Sequence, residues 1–283
     1  MIAGVRAPEL PVRTETLVLG EIGPATDWTR WLDGIDIVIH LAQRAHRRGA
    51  PVALAGEPNV AAMLASAAVV AGVKRLVLVS SVKAMGETTA PGCPFRVDKQ
   101  PHPEDDYGRA KIASEQAARA VARGTGLELT IIRPPLVYGP GVRANFRALL
   151  RLAGSGLPLP FAAIDNRRSL IFRDNLIDLI AVAAIHPAAA NSILLARDGD
   201  DLSTPALIRA LAEGQNRPAR LFSVPEGVFA LSRRLPGIGA ALSSLTLSLQ
   251  VDDGATRAAL EWTPLVSAAE GLAATARAYA QNP

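Results

Sequence analysis

Tyr107 and Lys111 stand four residues apart in the stretch HPEDDYGRAKIASEQ, residues 102–116. Asp105 and Asp106 supply a helix start just ahead of them, and a helix sets residues four apart on one face. A free tyrosine, with a pKa of about 10, is a poor base at neutral pH. An ammonium within a few ångströms favours the phenolate and brings that value down. Such a pair is a proton donor and acceptor suited to interconverting an alcohol and a ketone. Tyr-x-x-x-Lys alone is common as surface decoration, so its context decides. Here an apolar run ends in two serines, LVLVSSVKAMGE, followed about 25 residues later by the Tyr/Lys helix and then by RPPLVYGPG. A strand's carboxyl end is where the Ser81 hydroxyl would face a pocket and hold a substrate oxygen.

The elements that must position these groups are legible as apolar runs at 1–6, 16–20, 35–42, 75–81, 128–134 and 192–197. They are continuous rather than alternating, the pattern of strands covered on both faces. Helical patterns fall between them at 59–72, at 107–123, where Gly124 and Gly126 close the helix, and at 144–153. Strands alternating with helices predict an α/β fold with a doubly wound parallel sheet. After about residue 140 the texture changes. GSGLPLPF reads as a loop, DLSTPALIRALAEG as a capped helix with Pro205 at its first position, and EWTP precedes a last helix. Residues 1–140 are thus expected to form the sheet part. Residues 141–283 form a smaller lobe on the sheet's carboxyl edge, where α/β proteins bind ligands, with some segments returning to the core.

A chain of 283 residues can bury a large core as one big domain or two unequal lobes. Its net charge of +4 fits a small anionic ligand. The basic residues are scattered. The densest groups, Arg44/Arg47/Arg48 and Arg167/Arg168, are too thin for a nucleic-acid stripe. One cysteine, Cys93, excludes an internal disulfide and points to a reducing cytoplasm. The four histidines form no H-x-x-x-H pair, and no metal site is expected. The longest apolar run, at 60–73, is too short to span a bilayer, and the N-terminus carries no signal pattern. A cytoplasmic location without membrane insertion follows as an expectation.

Six segments then occur in a telling order: HLA (40–42), SSVKAMGE (80–87), YGRAK (107–111), RPPLVYGPG (133–141), RRSLIFRDNLIDLI (167–180) and LEWTP (260–264). Together they resemble the extended short-chain dehydrogenase/reductases, in the nucleotide-sugar branch similar to UDP-glucose 4-epimerase. The resemblance covers nearly the whole chain. It implies a Rossmann-type fold, NAD or NADP as cofactor and a UDP-sugar as substrate. Tyr107 would be the acid/base at the sugar's 4-oxygen, Lys111 its electrostatic partner and ribose ligand, and Ser81 the donor to the substrate oxygen. Leu41 and Ala42 would line the pyrophosphate-to-ribose region, Ile22 the adenine and Pro134 the nicotinamide, with Tyr107 and Lys111 also bordering the cofactor. Lys83, Asn145, Arg168 and Asp252 would face the substrate, with Asn145 and Arg168 at its diphosphate and Asp252 at its uridine ribose. The family's frequent pairing through helices that include the Tyr-bearing one implies a homodimer.

The implied reaction is epimerisation or 4-keto reduction at C4 of a UDP-sugar. Related sugar dehydratases carry an acidic pair after the catalytic serine or threonine, where Val82 and Lys83 stand here, which argues against dehydration. The neighbouring motifs look most like bacterial surface-polysaccharide members acting on UDP-N-acetylhexosamines or their 4-keto-6-deoxy forms. One family feature is missing: the opening strand with its G-x-x-G-x-x-G turn, whose bare backbone meets a pyrophosphate at a helix N-terminus. Gly20 and Gly23 are not followed by a third glycine, and Pro24 interrupts them. Residues 1–6 match the family's second strand, so the sheet is expected to lack its usual first, central strand. Arg6 stands where NAD-preferring members carry an acid, a hint toward NADP. A catalytically silent nucleotide-sugar or dinucleotide-binding homologue is the alternative.

Overall fold

In the computed structural model, which describes residues 2–5, 15–18, 22–23, 26–28, 31–42, 56–90, 92–233 and 239–282, the apolar runs pair as parallel strands. The strands are β1 (Ile2–Val5), β2 (Glu15–Val18), β3 (Ile37–His40), β4 (Arg75–Val79), β5 (Glu128–Arg133), β6 (Leu136–Tyr138), β7 (Leu170–Phe172) and β8 (Ile193–Leu195). Strands β3, β4, β5 and β8 lie in that order in one all-parallel sheet, while β1–β2 and β6–β7 form separate parallel pairs. Among the described residues no ladder joins β1 to β3. Arg6, Pro24 and Arg44/Arg47/Arg48 lie outside the described residues.

The helices are α1 (Glu57–Val70), α2 (Asp106–Ala122), α3 (Ala144–Gly154), α4 (Arg173–Ile185), α5 (Thr204–Glu213), α6 (Glu226–Ser232), α7 (Gly239–Thr246), α8 (Gly254–Leu260) and α9 (Ala268–Gln281). Alternate side chains of a strand point to opposite faces, and here both faces are covered. Leu76, Leu78, Leu129 and Ile131 pack with Leu64 and Ala68 of α1 and Ala118 of α2. Val77, Val79 and Ile132 pack on the other side with Leu179 and Ala183 of α4 and with Leu260 and Trp262. Each such large side chain contributes about 1.5–3 kcal/mol by leaving water. This double burial is why β4 and β5 read as unbroken apolar runs.

A second core gathers Tyr138, Phe146, Leu150, Phe172, Ile208, Leu211 and Leu272 from β6, β7, α3, α5 and α9. Strands β6 and β7 have three residues each and lie inside segments that the sequence analysis reads as motifs. The helix expected with Pro205 first begins one residue earlier. Ser203 caps it by accepting from the Ala206 amide, and Pro205 is the second helical residue. It stays in the first turn, where a missing N–H costs nothing. Among the described residues no helix is long and apolar enough to cross a membrane, and no cluster of three or more His, Cys, Asp or Glu could hold a metal ion. Cys93 is exposed and unpaired by any disulfide.

Candidate active site

The chain leaves β4 through Ser80 and Ser81 into a single 3-10 turn, Val82–Ala84, which Ser81 caps by accepting from the Lys83 amide at 3.2 Å. Asp105 starts α2, its Oδ1 accepting from the Gly108 amide at 2.7 Å. These two starts are tied together. Lys83 Nζ donates to Asp105 Oδ2 at 2.8 Å and to Glu87 Oε1 at 2.6 Å. Gly108 lets the backbones meet, because a Cβ there would lie 2.3 Å from the Lys83 carbonyl oxygen. Held this way, the Ser81 hydroxyl lies near enough to the Tyr107 phenol to favour its ionised form. The Ser81 turn and the first turn of α2 thus lie side by side.

Lys111 behaves otherwise. Its ammonium lies 5.3 Å from the centre of the Tyr107 ring and donates to Glu57 Oε2 at 2.7 Å, in a pair only 6% and 12% exposed. The Tyr107 phenol is pushed up to about 12, first by burial, then by the Glu57 carboxylate and more weakly by Asp105, with the nearby Ser81 hydroxyl pulling the other way. The expectation that the ammonium lowers the phenol's pKa is therefore corrected. Glu57 offsets the charge of Lys111, and desolvation then wins. His40, at the end of β3, is pushed down to about 4 by burial and by Lys111, against an opposing effect of Glu57.

A buried ion pair lies underneath. Arg133 ends β5 and donates from Nε and Nη2 to Glu115 of α2, which also accepts from Ser80 Oγ at 2.5 Å. Glu115 is the next turn along the face that carries Tyr107 and Lys111. Pro134 is buried beside Arg133, and its carbonyl accepts from the Val82 amide at 2.9 Å, which brings it against the Ser81 turn. Leu41 and Ala42 follow His40 at the carboxyl end of β3, Leu41 59% exposed and Ala42 half-buried. Ile22 packs against the core under α1.

The residues expected at the substrate divide. Arg168 is half-buried, its Nη1 donating to the Leu247 carbonyl at 3.2 Å. Burial lowers its pKa and Glu87 opposes this, so Arg168 and Lys83 share Glu87 as a charged neighbour. Asp252 pairs with Arg96 at 3.1 Å and accepts from the Gly254 amide. Asn145 stands exposed in the first turn of α3 and joins none of these hydrogen bonds. Sequence reasoning missed His40, Glu57, Glu115 and Arg133. His40 preceded the quoted Leu-Ala, Glu115 continued the four-residue spacing, and Arg133 closed a strand before Pro134. Only Glu57 carried no such signal.

Residues 4–195 match the model of the NAD dependent epimerase/dehydratase family. The chain belongs to that family. It is 41% identical over 270 residues to a UDP-glucose 4-epimerase of Vibrio cholerae, covering 93% of this chain and 82% of the relative. A more distant relative is an N-acetyl-alpha-D-glucosaminyl-diphospho-ditrans,octacis-undecaprenol 4-epimerase of Escherichia coli O157:H7. It is 25% identical and aligns over 75% of this chain and 64% of its own length. Among solved structures, the fold is similar to UDP-glucuronic acid 4-epimerase from Bacillus cereus in complex with NAD, with a TM-score of 0.76, 20% identity, and 96% of this chain and 83% of that one covered. It is also similar to MoeE5 in complex with UDP-glucuronic acid and NAD, at a TM-score of 0.77, 24% identity, and 100% and 91% coverage. The Rossmann-type α/β expectation holds in its parallel sheet and flanking helices, and the chain is an enzyme of the NAD-dependent short-chain dehydrogenase/reductase type by its family.

The family's dinucleotide can be tested against the residues present. Ile39 and Leu41, 40% and 59% exposed, leave apolar surface at the carboxyl end of β3 that a dinucleotide's ring could cover, and His40 between them feels the charge of Lys111. The pyrophosphate end has no glycine-rich cradle among the described residues.

Proposed function

We propose that this protein is an NAD(P)-dependent enzyme acting at C4 of a UDP-sugar, with epimerisation favoured and 4-keto reduction as the second activity of the same site. The observation that carries it is the placing of Tyr107 beside the Ser81 turn at the sheet's carboxyl edge, with the Lys111 ammonium 5.3 Å from the Tyr107 ring. As its phenolate, Tyr107 takes the proton of the C4 hydroxyl, and the neutral phenol so formed returns that proton to the ketone oxygen. Ser81 donates to that oxygen throughout. A bound nicotinamide supplies the hydride acceptor and donor. Lys111, Pro134, Leu41, Ala42 and Ile22 would hold it, and Arg168, Lys83, Asn145 and Asp252 would hold the nucleotide sugar. The 41% identical UDP-glucose 4-epimerase supports epimerisation. Val82 and Lys83 after Ser81 supply no acidic pair, which disfavours dehydration. Residues 1–140 and 141–283 are taken as the dinucleotide and substrate parts. A role in surface-polysaccharide precursor synthesis, a homodimer and a cytoplasmic setting complete this reading.

Its test is incubation with NAD+ and, separately, UDP-glucose and UDP-N-acetylglucosamine, reading the anomeric proton signals by NMR. Growth of the galacto epimer is expected, while unchanged sugars with every nicotinamide cofactor would overturn the proposal. A second reading, a silent binding homologue, is favoured by one observation: among the described residues no ladder joins β1 to β3. Titration with NAD(H) and NADP(H), followed by protein fluorescence, separates the two. A silent homologue binds UDP-sugar without turning it over.

A further inference from the structure

Asp105 faces two ways. Its Oδ1 accepts from the Gly108 amide and caps α2, while its Oδ2 accepts from Lys83 Nζ at 2.8 Å. The cap fixes the side chain, so the first oxygen aims the second. Lys83 stands two residues after Ser81, and its own amide donates to Ser81 Oγ at 3.2 Å. One carboxylate and one lysine therefore join the helix that carries Tyr107 to the Ser81 hydroxyl. Glu87, the other acceptor of the ammonium at 2.6 Å, has its amide bonded to Glu104 Oε1, one residue before Asp105. Lys83, Asp105 and Glu87 are 40%, 35% and 37% exposed, and ion pairs so open to water contribute little to stability. What the bridge supplies is direction. Contact between Gly108 and the Lys83 carbonyl sets how close the two turns come, and the charge-assisted bonds set how far one slides along the other.

We propose that Asp105 is a positioning residue for the reaction: acting through Lys83, it sets the Ser81 hydroxyl in place beside Tyr107. This deepens the proposed function and takes from it the roles of Ser81 and Tyr107. Two of the three donors of the ammonium are committed to the bridge, which leaves the third for the substrate. Kinetics of the wild type are compared with Asp105→Asn, Asp105→Ser, Lys83→Met and the double variant Asp105→Asn with Lys83→Met. Each is given NAD+ and UDP-glucose or UDP-N-acetylglucosamine. Asparagine and serine still cap a helix, so urea unfolding of both Asp105 variants should match the parent. Neither offers Lys83 a second carboxylate oxygen. Both are expected to lower kcat about tenfold or more, with the KM for the sugar within about twofold. Lys83→Met should lower kcat as far and the double variant no further, because each breaks the same bridge. Unchanged kcat in Asp105→Asn, or losses that multiply in the double variant, would overturn the proposal. So would a fall in kcat matched by a fall in the unfolding midpoint, which makes Asp105 merely structural.

A second measurement needs no turnover. Tyrosine labelled with carbon-13 at Cζ is observed by NMR at neutral pH without nucleotide, with Tyr107→Phe assigning the signal. Asp105→Asn removes a negative charge and Lys83→Met a positive one, so charge alone would move the signal in opposite directions. A displaced Ser81 turn moves it the same way in both, which is the expected result. Opposite movement, or none, overturns the inference. A wild-type protein that turns over no UDP-sugar, but whose variants show the common shift, would leave the positioning standing while the proposed function fails.

Discussion

Arg133 and Glu115 form an ion pair 2% and 3% exposed, and Ser80, the residue before the proposed substrate-oxygen donor, is bound to the same carboxylate. The pair joins the end of β5, the end of β4 and the third turn of α2 under the Ser81–Tyr107 contact. Charges so deep cost several kcal/mol each to dehydrate, and the pair recovers this only while whole. Arg133 makes it whole from two nitrogens, Nε at 3.0 Å and Nη2 at 2.5 Å. Glu115→Ala leaves the guanidinium alone and is expected to cost about 3–5 kcal/mol in urea unfolding. The double variant Glu115→Leu with Arg133→Met should recover most of that stability. Equal losses in the single and double variants would show that the pair is not the source.

Gly108 makes the next prediction, because its place after Tyr107 is dictated by its neighbour rather than by the helix. A methyl group there would meet the Lys83 carbonyl oxygen at 2.3 Å and Pro103 Cβ at 3.1 Å. Backbone cannot yield as a side-chain tip can. Gly108→Ala should therefore push the Ser81 turn away from α2, at about 1–3 kcal/mol of stability. An error of even 1 Å at the reacting groups would cost turnover about a hundredfold. Turnover at the wild-type level, with the variant as stable as its parent, would contradict the contact.

The strands and the Tyr107/Lys111 helix were legible because their signals are local. Double burial writes continuous apolar runs, and Asp105 writes a helix start beside its own helix. Ser81 could be placed because it ends such a run. Glu57 could not, since it faces Lys111 across 54 residues of chain and nothing near it in sequence records that meeting. The same blindness produced the error over the Tyr107 pKa. One favourable charge was visible four residues away, while the opposing carboxylate and the burial were tertiary facts. Strands β6 and β7 escaped for a different reason, being three residues long inside segments read as motifs.

His40 predicts a dependence of stability on acid. In the unfolded chain it takes up a proton near its ordinary 6.5, whereas in the folded protein burial and Lys111 delay this to about 4. Between those values the unfolded chain holds more protons, so stability falls as pH drops through the window. His40→Gln removes this contribution and should flatten the fall. Urea unfolding of both proteins at about pH 7, 5.5 and 4.5 measures it. Parallel losses in the two proteins would assign the acid sensitivity elsewhere.

Tyr107→Phe separates proton transfer from everything else the site does. The ring, its packing and its position near Lys111 remain, and only the hydroxyl is lost. Acid/base groups contribute about a hundred- to ten-thousandfold, so turnover should fall at least a hundredfold. Nicotinamide binding should change little, because the phenol's oxygen is not what holds the ring. Loss of a buried phenol with its pKa near 12 also removes a group that destabilises the fold as pH rises from about 10 toward 12. The variant should therefore resist alkali better than its parent while losing its activity. Retained turnover, or alkaline unfolding unchanged, would mean that Tyr107 is neither the proton carrier nor as buried as the structure has it.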